Sequence, residues 1–155
     1  MNKIFALLLV SLFTLFSIVS CGEKKDIVID INELASKLDG VYEGTDIELV
    51  DIEGEAVDIQ YGIKGLYDNA RVKGSITITS DEYVIIECFD EESAEKVYDI
   101  INDYRTERIK LFSSYASEQV PKLESSLLKR AGKYVVFVVA DNDRMVNDIW
   151  KGFVE

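Results

Sequence analysis

The 155-residue sequence contains no histidine. Histidine is the commonest general base near neutral pH and the commonest protein ligand of metal ions. Its absence excludes every catalytic constellation and every metal centre that requires an imidazole. Acid–base chemistry in this chain would therefore have to come from other groups, chiefly carboxylates.

Cysteine and proline are almost as scarce. The chain has two cysteines, Cys21 and Cys88, and a single proline, Pro121. Two cysteines cannot form the disulfide framework of a small secreted scaffold. With 48% hydrophobic and 10% aromatic residues, the composition is typical of a folded domain that buries a core without covalent cross-links.

Basic residues are outnumbered. Lysine and arginine total 17 against 29 aspartates and glutamates, for a formal net charge of −12. This balance argues against nucleic-acid binding, because phosphates attract arrays of lysine and arginine. It also argues against adhesion to anionic lipid through a basic patch.

The first residues have the pattern of a bacterial export signal. Residues 1–3 include Lys3, residues 4–18 are apolar apart from hydroxyl side chains, and Ser20 stands directly before Cys21. A small residue commonly ends a secretory signal. With the cysteine beside it, this stretch resembles the lipobox of bacterial lipoproteins.

The lipobox resemblance implies cleavage before Cys21 and a diacylglyceryl group on its sulfur, with palmitate among the acyl chains. The alternatives are an uncut N-terminal membrane anchor or a simple secreted protein. We expect a lipoprotein signal peptide over 1–20, a tether over 21–26 and a single α+β domain over 27–155. The polar part of the tether spans at most about 17 Å when extended.

Two strand–helix patterns dominate the rest of the chain. Residues 83–89 predict a strand that leads into a long helix over 90–115, capped by Asp90. Residues 134–140 predict a similar strand that leads into a final helix, capped by Asp141. A strand over 69–79, with its clearest alternation at 76–79, and another over 127–130 would complete two hairpins; residues 80–82 are the expected turn of the first.

These patterns predict an α+β fold in which two β-hairpins form one antiparallel sheet in a ββα-ββα arrangement. Short helices over 32–38 and 54–61 would precede it, the first beginning at Asp30 and ending at Gly40. We expect the Asp90 and Asp141 helices to pack on one face of the sheet. By strand alternation six side chains would point toward them: Val84, Ile86, Cys88, Val135, Phe137 and Val139.

No motif for a defined reaction is present. The sequence lacks a phosphate-binding glycine loop, a nucleophile elbow and cysteines at zinc-ligand spacing. Cys88 has no histidine partner, so we interpret it as a core residue, as we do Trp150. We predict no catalytic residue, no metal site and no cofactor. The acid-rich segment 39–58 has no calcium-loop pattern and is interpreted as a solvated face, although sequence leaves open whether it binds a cation.

A family resemblance extends over residues 26–148. It is carried by five fragments whose order and spacing are more specific than any one of them: residues 61–63, 90–96, 114–115, 120–124, and 132–135 followed by Asp141. In these fragments the chain resembles a family of small Gram-positive lipoproteins known only as a domain of unknown function, the domain-of-unknown-function 4358 type. The resemblance implies a location and an architecture. It implies no activity, ligand or catalytic residue.

Together these observations predict a lipoprotein anchored through Cys21 to the extracytoplasmic face of the cell membrane. Its role would be non-catalytic, as an interaction or binding domain. Besides the membrane itself, we expect its partner to be a membrane or envelope protein, and no nucleic acid. Two alternatives stay open: a carboxylate-dependent cell-envelope hydrolase, and a lipoprotein that binds a small solute or metal. A cavity with converging carboxylates would favour the hydrolase.

Overall fold

The computed structural model describes residues 27–155. Along the chain its elements are α1 (Ile31–Tyr42), β1 (Leu49–Asp51), α2 (Glu55–Tyr61), β2 (Tyr67–Ser75), β3 (Glu82–Cys88), α3 (Glu91–Tyr115), a 3₁₀ turn (Ser117–Gln119), α4 (Val120–Glu124), β4 (Leu127–Ala131), β5 (Tyr134–Val139) and α5 (Asp143–Val154).

The strands form one five-stranded sheet in the order β1-β2-β3-β5-β4. Every neighbouring pair is antiparallel. The two predicted hairpins, β2–β3 and β4–β5, are both present and are joined by pairing of β3 with β5. The predicted α+β class, with an antiparallel sheet and short helices before it, is confirmed.

The two central strands are buried on both faces. All six residues of β5 are buried, as are Tyr83 to Ile86 in β3. One face of the sheet packs against α2, α3 and α4, and the other packs against α1 and α5. The fold therefore has three layers, with the sheet between two sets of helices.

The expectation that both long helices share one face was wrong. Helix α3 lies on one face, while α5 lies on the other beside α1. The physical reason is the second set of alternating side chains, Tyr83, Ile85, Val136 and Val138, which are at most 1% exposed. Helices on a single face would have left this apolar set in water, at a cost of roughly 1.5–3 kcal/mol per large side chain.

The six side chains predicted to face the helices all lie in the core beneath α3. Among them, Cys88 is fully buried, as expected of a core residue. Trp150 is also a core residue, 7% exposed, but it lies in the opposite core beneath α1 and α5.

Helix α1 begins where predicted and ends later. The Asp30 carboxylate accepts hydrogen bonds from the backbone N–H groups of Asn32 at 2.9 Å and Glu33 at 3.1 Å, which satisfies two otherwise free donors. The predicted exit at Gly40 was wrong, since the helix continues to Tyr42. The added residues are stabilised by Tyr42, whose single hydroxyl proton is shared between the backbone carbonyls of Val139, at 2.8 Å, and Glu82, at 3.2 Å.

The caps of the two later helices differ from each other. Asp90 caps α3 as predicted, since its carboxylate accepts from the Ser93 N–H at 2.7 Å. Asp141 does not cap α5. That role belongs to Asn142, whose side-chain oxygen accepts from the Met145 N–H at 3.1 Å, while Asp141 pairs instead with Lys122.

Strand β2 ends at Ser75, before the alternation that had suggested a strand to residue 79. The Ser75 hydroxyl accepts a hydrogen bond from the Thr77 N–H at 3.1 Å. Such a local side-chain bond gives the backbone an alternative to the strand ladder. Residues 76–81 therefore form a loop whose apolar members Ile76 and Ile78 are exposed by 59% and 74%.

The described chain starts at the far end of the sheet from this loop. A β carbon added to Gly132 would lie 3.8 Å from the Ile27 Cβ, so Ile27 lies against the turn between β4 and β5. That turn is level with Glu87, whereas the loop after β2 leads into Glu82. The two positions are at opposite ends of β3, about 17 Å apart at the usual rise per residue.

Within residues 27–155, no helix is both long enough and apolar enough to cross a bilayer. Cys21 and the expected signal and tether, 1–20 and 21–26, lie outside the described residues.

Val84 offers a direct test of the packing. Its side chain is fully buried between β3 and α3. We expect Val84→Asp to lower the free energy of unfolding by more than about 4 kcal/mol, because it buries an unpaired charge. Denaturant unfolding followed by circular dichroism measures the change.

The matched control is Val28→Asp, the same replacement at a residue that is 82% exposed. It should change stability by about 0.5 kcal/mol or less. Equal effects of the two substitutions would contradict the assignment of Val84 to the core.

Candidate functional site

A buried carboxylate stands at the start of the central strand. Glu82, expected in a turn, is the first residue of β3 and is only 1% exposed. Pairing with Val139 fixes its backbone, and the Tyr42 hydroxyl binds its carbonyl from the other face of the sheet. A glutamate is almost never buried this completely without specific partners.

Two tyrosines share one oxygen of that carboxylate. The hydroxyl of Tyr61, at the end of α2, and the hydroxyl of Tyr104, in α3, each donate to Glu82 Oε2 at 3.0 Å. Their rings meet edge to face, with centroids 4.8 Å apart. One oxygen atom therefore connects the sheet with two helices.

A second set of groups supports the tyrosines. The side-chain amide of Gln60 donates to the Tyr61 hydroxyl at 2.9 Å and to the Tyr104 hydroxyl at 3.2 Å. Arg108 Nη1 donates to the Tyr104 hydroxyl at 2.9 Å, and its guanidinium lies over the Phe112 ring, 5.1 Å from the centroid. Because both hydroxyls accept from these donors, their own protons are directed at the carboxylate.

The other carboxylate oxygen has no hydrogen bond. Glu82 Oε1 lies 3.3 Å from Arg108 Nε, within reach of ionic attraction, but neither atom is aligned with a hydrogen-bond partner. Across residues 27–155, the buried side-chain polar atoms that lack a partner are these two and the Thr79 hydroxyl oxygen. Such atoms are rare in folded proteins and call for an explanation.

All three unpartnered atoms belong to residues that line one cavity of about 560 Å³. The cavity lies between β1, the loop after β2 and the C-terminal half of α3. Its polar lining includes Gln60, Thr79, Glu82, Tyr104 and Arg108, and its apolar lining is Val50, Ile52, Ile78, Leu111, Phe112 and Tyr115. A concave, mostly apolar space with a few converging polar groups is the usual form of a small-ligand site.

Burial controls the protonation of these groups. It raises the pKa of the Glu82 carboxyl above its ordinary value, although Arg108 and the two tyrosine hydroxyls act in the opposite direction. Burial and the nearby Glu82 charge raise the pKa of Tyr61 well above its ordinary value and that of Tyr104 to about 12. Both tyrosines are therefore neutral hydrogen-bond donors at physiological pH.

Arg108 stays charged in the same surroundings. Burial is the largest single effect and lowers its pKa, but Glu82, Tyr104 and Tyr61 together raise the pKa by more, so that the net shift is upward. Its side chain is 20% exposed, and the guanidinium has more N–H groups than its bond to Tyr104 uses. The cavity thus holds a carboxyl, a permanent cation and neutral hydroxyls side by side.

The neighbouring Asp81 carboxylate differs from that of Glu82, because both of its oxygens have a hydrogen-bond partner. Lys122 donates to both oxygens of Asp81, at 3.0 and 2.9 Å, and also lies 3.1 Å from Asp141. Asp81 lines the cavity, yet each of its oxygens already has a partner. Asp81 and Lys122 fasten the base of the loop over 76–81, and Gln119 Oε1 adds a bond from the Ser80 N–H at 3.1 Å.

The structure also shows where the candidate residues considered in the sequence analysis lie. The thiol of Cys88 is buried, and burial together with the Asp90 charge raises its pKa to about 12, so it is not a thiolate. The acid-rich segment 39–58 is divided among α1, β1 and α2. Within the described chain, no three of its Cys, Asp and Glu side chains converge on a metal-sized site.

The cavity residues were missed at the sequence level for identifiable reasons. Tyr104 was counted as part of the apolar stripe of α3, and Glu82 was assigned to a turn. One signal was available: a glutamate directly before the run Tyr83–Ile86 is out of place next to a strand buried on both faces. Nothing in the sequence brings Tyr61 and Arg108 to the same point.

Comparison with protein families gives a match. The family described as Domain of unknown function (DUF4358) matches residues 43–140. The chain belongs to this family. The matched range runs from before β1 to just after β5, and it includes all the residues that line the cavity. Comparisons with curated proteins and with solved structures gave no match.

The raised pKa of Glu82 predicts a pH dependence of stability. An acid whose pKa is raised by folding stabilises the protein fully below its unfolded pKa, near 4.5, and that contribution is lost as pH rises toward the folded pKa. Glu82→Gln removes the titration and keeps the size of the side chain. The groups that face it, Asp81, Tyr61, Tyr104 and Arg108, are unchanged.

We therefore expect the stability of the wild type minus that of Glu82→Gln to fall as pH rises from about 4.5. Urea unfolding at closely spaced pH values from 4 to 8 measures this difference. Glu48→Gln, the same change at an exposed residue, is the control. A difference that increases with pH would show that folding lowers the pKa of Glu82.

Proposed function

We propose that this protein is a lipid-anchored, extracytoplasmic binding protein that holds a small ligand in the Glu82 cavity without transforming it. The observation that carries the proposal is that the three described residues with an unpartnered buried polar atom all line one cavity. Leaving a buried polar group unsatisfied costs about 1–3 kcal/mol, and more for a charged group. A ligand that supplies the missing bonds would recover part of that cost as affinity.

The alternative of a carboxylate-dependent hydrolase receives less support. Acid–base hydrolysis commonly needs two available carboxylates, one as the acid and one as the base or nucleophile. Glu82 has a free oxygen, but both oxygens of Asp81 are engaged by Lys122. The partner available to Glu82 is the Arg108 cation, which suits binding and orientation better than proton transfer.

The location is proposed from the sequence pattern around Cys21. An apolar run, a small residue and a cysteine coincide at the position expected for lipid attachment. Two or more acyl chains hold a protein stably at a membrane, whereas one chain binds marginally. Confinement to the surface would raise the effective concentration of the cavity for ligands and partners held there.

The anchor is tested by Cys21→Ser. In a bacterial host supplied with labelled palmitate, we expect the wild type to be labelled and processed. The variant should accumulate as an unlabelled, unprocessed precursor. Cys88→Ser, which changes the other cysteine, is the control and should be labelled normally. Labelling of the Cys21→Ser protein would overturn the proposed anchor.

Ligand binding is tested by retention. Full-length protein in a detergent without a sugar head group is incubated with the low-molecular-mass fraction of a cell-envelope extract and then freed of unbound material. We expect the wild type and Glu48→Gln to retain a compound that heat releases and mass spectrometry detects, and Glu82→Gln to retain at least about tenfold less, because a charge-assisted bond is lost. Equal retention by all three proteins, or none, would contradict the proposed binding function.

The same experiment tests the hydrolase alternative. If the extract contains new cleavage products after incubation with the wild type but not with Glu82→Gln, the protein is an enzyme. In that case the binding proposal is wrong.

A further inference from the structure

We infer that the ligand of the Glu82 cavity is a neutral, polyhydroxylated compound, a sugar, bound by a hydroxyl group between Glu82 and Arg108. This inference rests on the proposed binding function and adds the chemical class of the ligand.

Two of the unpartnered atoms lie next to each other. An acceptor, Glu82 Oε1, and a donor, Arg108 Nε, lie 3.3 Å apart without bonding to each other. Both atoms are closed to solvent, so a ligand oxygen comes within about 2.8 Å of them only once the Arg108 side chain, which is 20% exposed, turns outward. That oxygen would then accept from the arginine and donate to the glutamate. A hydroxyl does both with a single atom, since it has one proton and two lone pairs.

The charged groups of the cavity are present in pairs of opposite sign. The Glu82 carboxylate and the Arg108 guanidinium are adjacent, and the Asp81 carboxylate is paired with Lys122. An anionic head group would have to approach the carboxylate, and a cationic head group would have to approach the guanidinium. In either case the repulsion offsets much of the attraction, so the site favours an uncharged group.

A further polar group without a partner belongs to the cavity lining. The Thr79 hydroxyl oxygen is buried and lacks a partner, and Thr79 is one of the residues that line the same cavity. A ligand with one hydroxyl would satisfy the pair at Glu82 and leave Thr79 without a bond. A ligand with hydroxyls on neighbouring carbons can satisfy both places at once.

The remaining wall of the cavity includes two aromatic rings. Phe112 and Tyr115 form an aromatic pair with ring centroids 5.0 Å apart, and Tyr115 is 53% exposed. The C–H faces of a sugar ring can pack on aromatic and aliphatic side chains while its hydroxyls point to polar groups at the ring edge. A volume of about 560 Å³ lies within the usual range for small-molecule sites.

The test measures binding by calorimetry, using the full-length protein in a zwitterionic detergent that carries no sugar. The probes are the neutral disaccharides maltose, lactose and diacetylchitobiose. Two comparison probes are the fully O-acetylated form of each, which lacks hydroxyl protons, and a disaccharide that carries a uronic acid. We expect at least one neutral disaccharide to bind and its O-acetylated form and the acidic disaccharide to bind at least about tenfold more weakly.

Thr79→Val is the decisive variant because it removes a hydroxyl that bonds to nothing in the protein. It should leave the unfolding midpoint unchanged or slightly raised. We expect it to weaken sugar binding by about threefold to tenfold, which corresponds to one neutral hydrogen bond. Glu82→Gln should weaken binding by at least about tenfold, and Glu48→Gln should have no effect.

The outcomes separate the ligand class from the binding function. If the uronic acid binds best, if no neutral disaccharide binds, or if Thr79→Val binds sugar like the wild type, the sugar assignment is overturned. A compound retained from the envelope extract would still support the binding function. If the extract also yields nothing, both proposals fail.

Co-sedimentation with insoluble chitin, compared with soluble diacetylchitobiose, distinguishes an envelope polymer from a free solute as the source of the sugar.

Discussion

Burial of β3 and β5 on both faces is the constraint on which the rest of this structure depends. A sheet that is apolar on one face is stable with one layer of helices, but a strand such as Tyr134–Val139, buried throughout, needs a layer on each side. Antiparallel sheets more often keep one solvated face. Here the chain supplies α3 for one face and divides the other between α1 and α5. The positions of the hairpins and the helices follow from that requirement.

The same constraint explains why the Glu82 carboxylate is buried at a cost in free energy. A strand enclosed on both faces has no exposed side to which a polar residue at its end can turn. The carboxylate is therefore held by Tyr61 and Tyr104 from the helices above it, and its backbone by Tyr42 from the helix below. Polar networks in a core are stable only if each member is satisfied. The atoms of this network that lack a partner belong to residues that line the cavity, and on that exception we base the proposal of a binding site.

Much of the fold could be predicted from periodicity, and little of the site could. Strand alternation identified both hairpins and the six side chains beneath α3, and capping rules located the starts of α1 and α3. The errors arose where tertiary contacts override local preference. Helix α1 passes Gly40 because Tyr42 bonds across the sheet, and β2 ends early because Ser75 bonds to Thr77. The cavity joins residues from α2, β3 and α3, and no local pattern encodes their convergence.

The place where the chain enters the domain has a mechanical consequence for access. Ile27 lies against the turn at Gly132, at the end of the sheet opposite the cavity. With a lipid on Cys21, the sheet would act as a spacer, adding its own length of about 17 Å along β3 to the reach of the tether. The cavity would then face outward, away from the bilayer. A solute or a polymer end that arrives from outside the cell would reach the cavity directly. A molecule dissolved in the membrane would contact the anchored end of the domain instead.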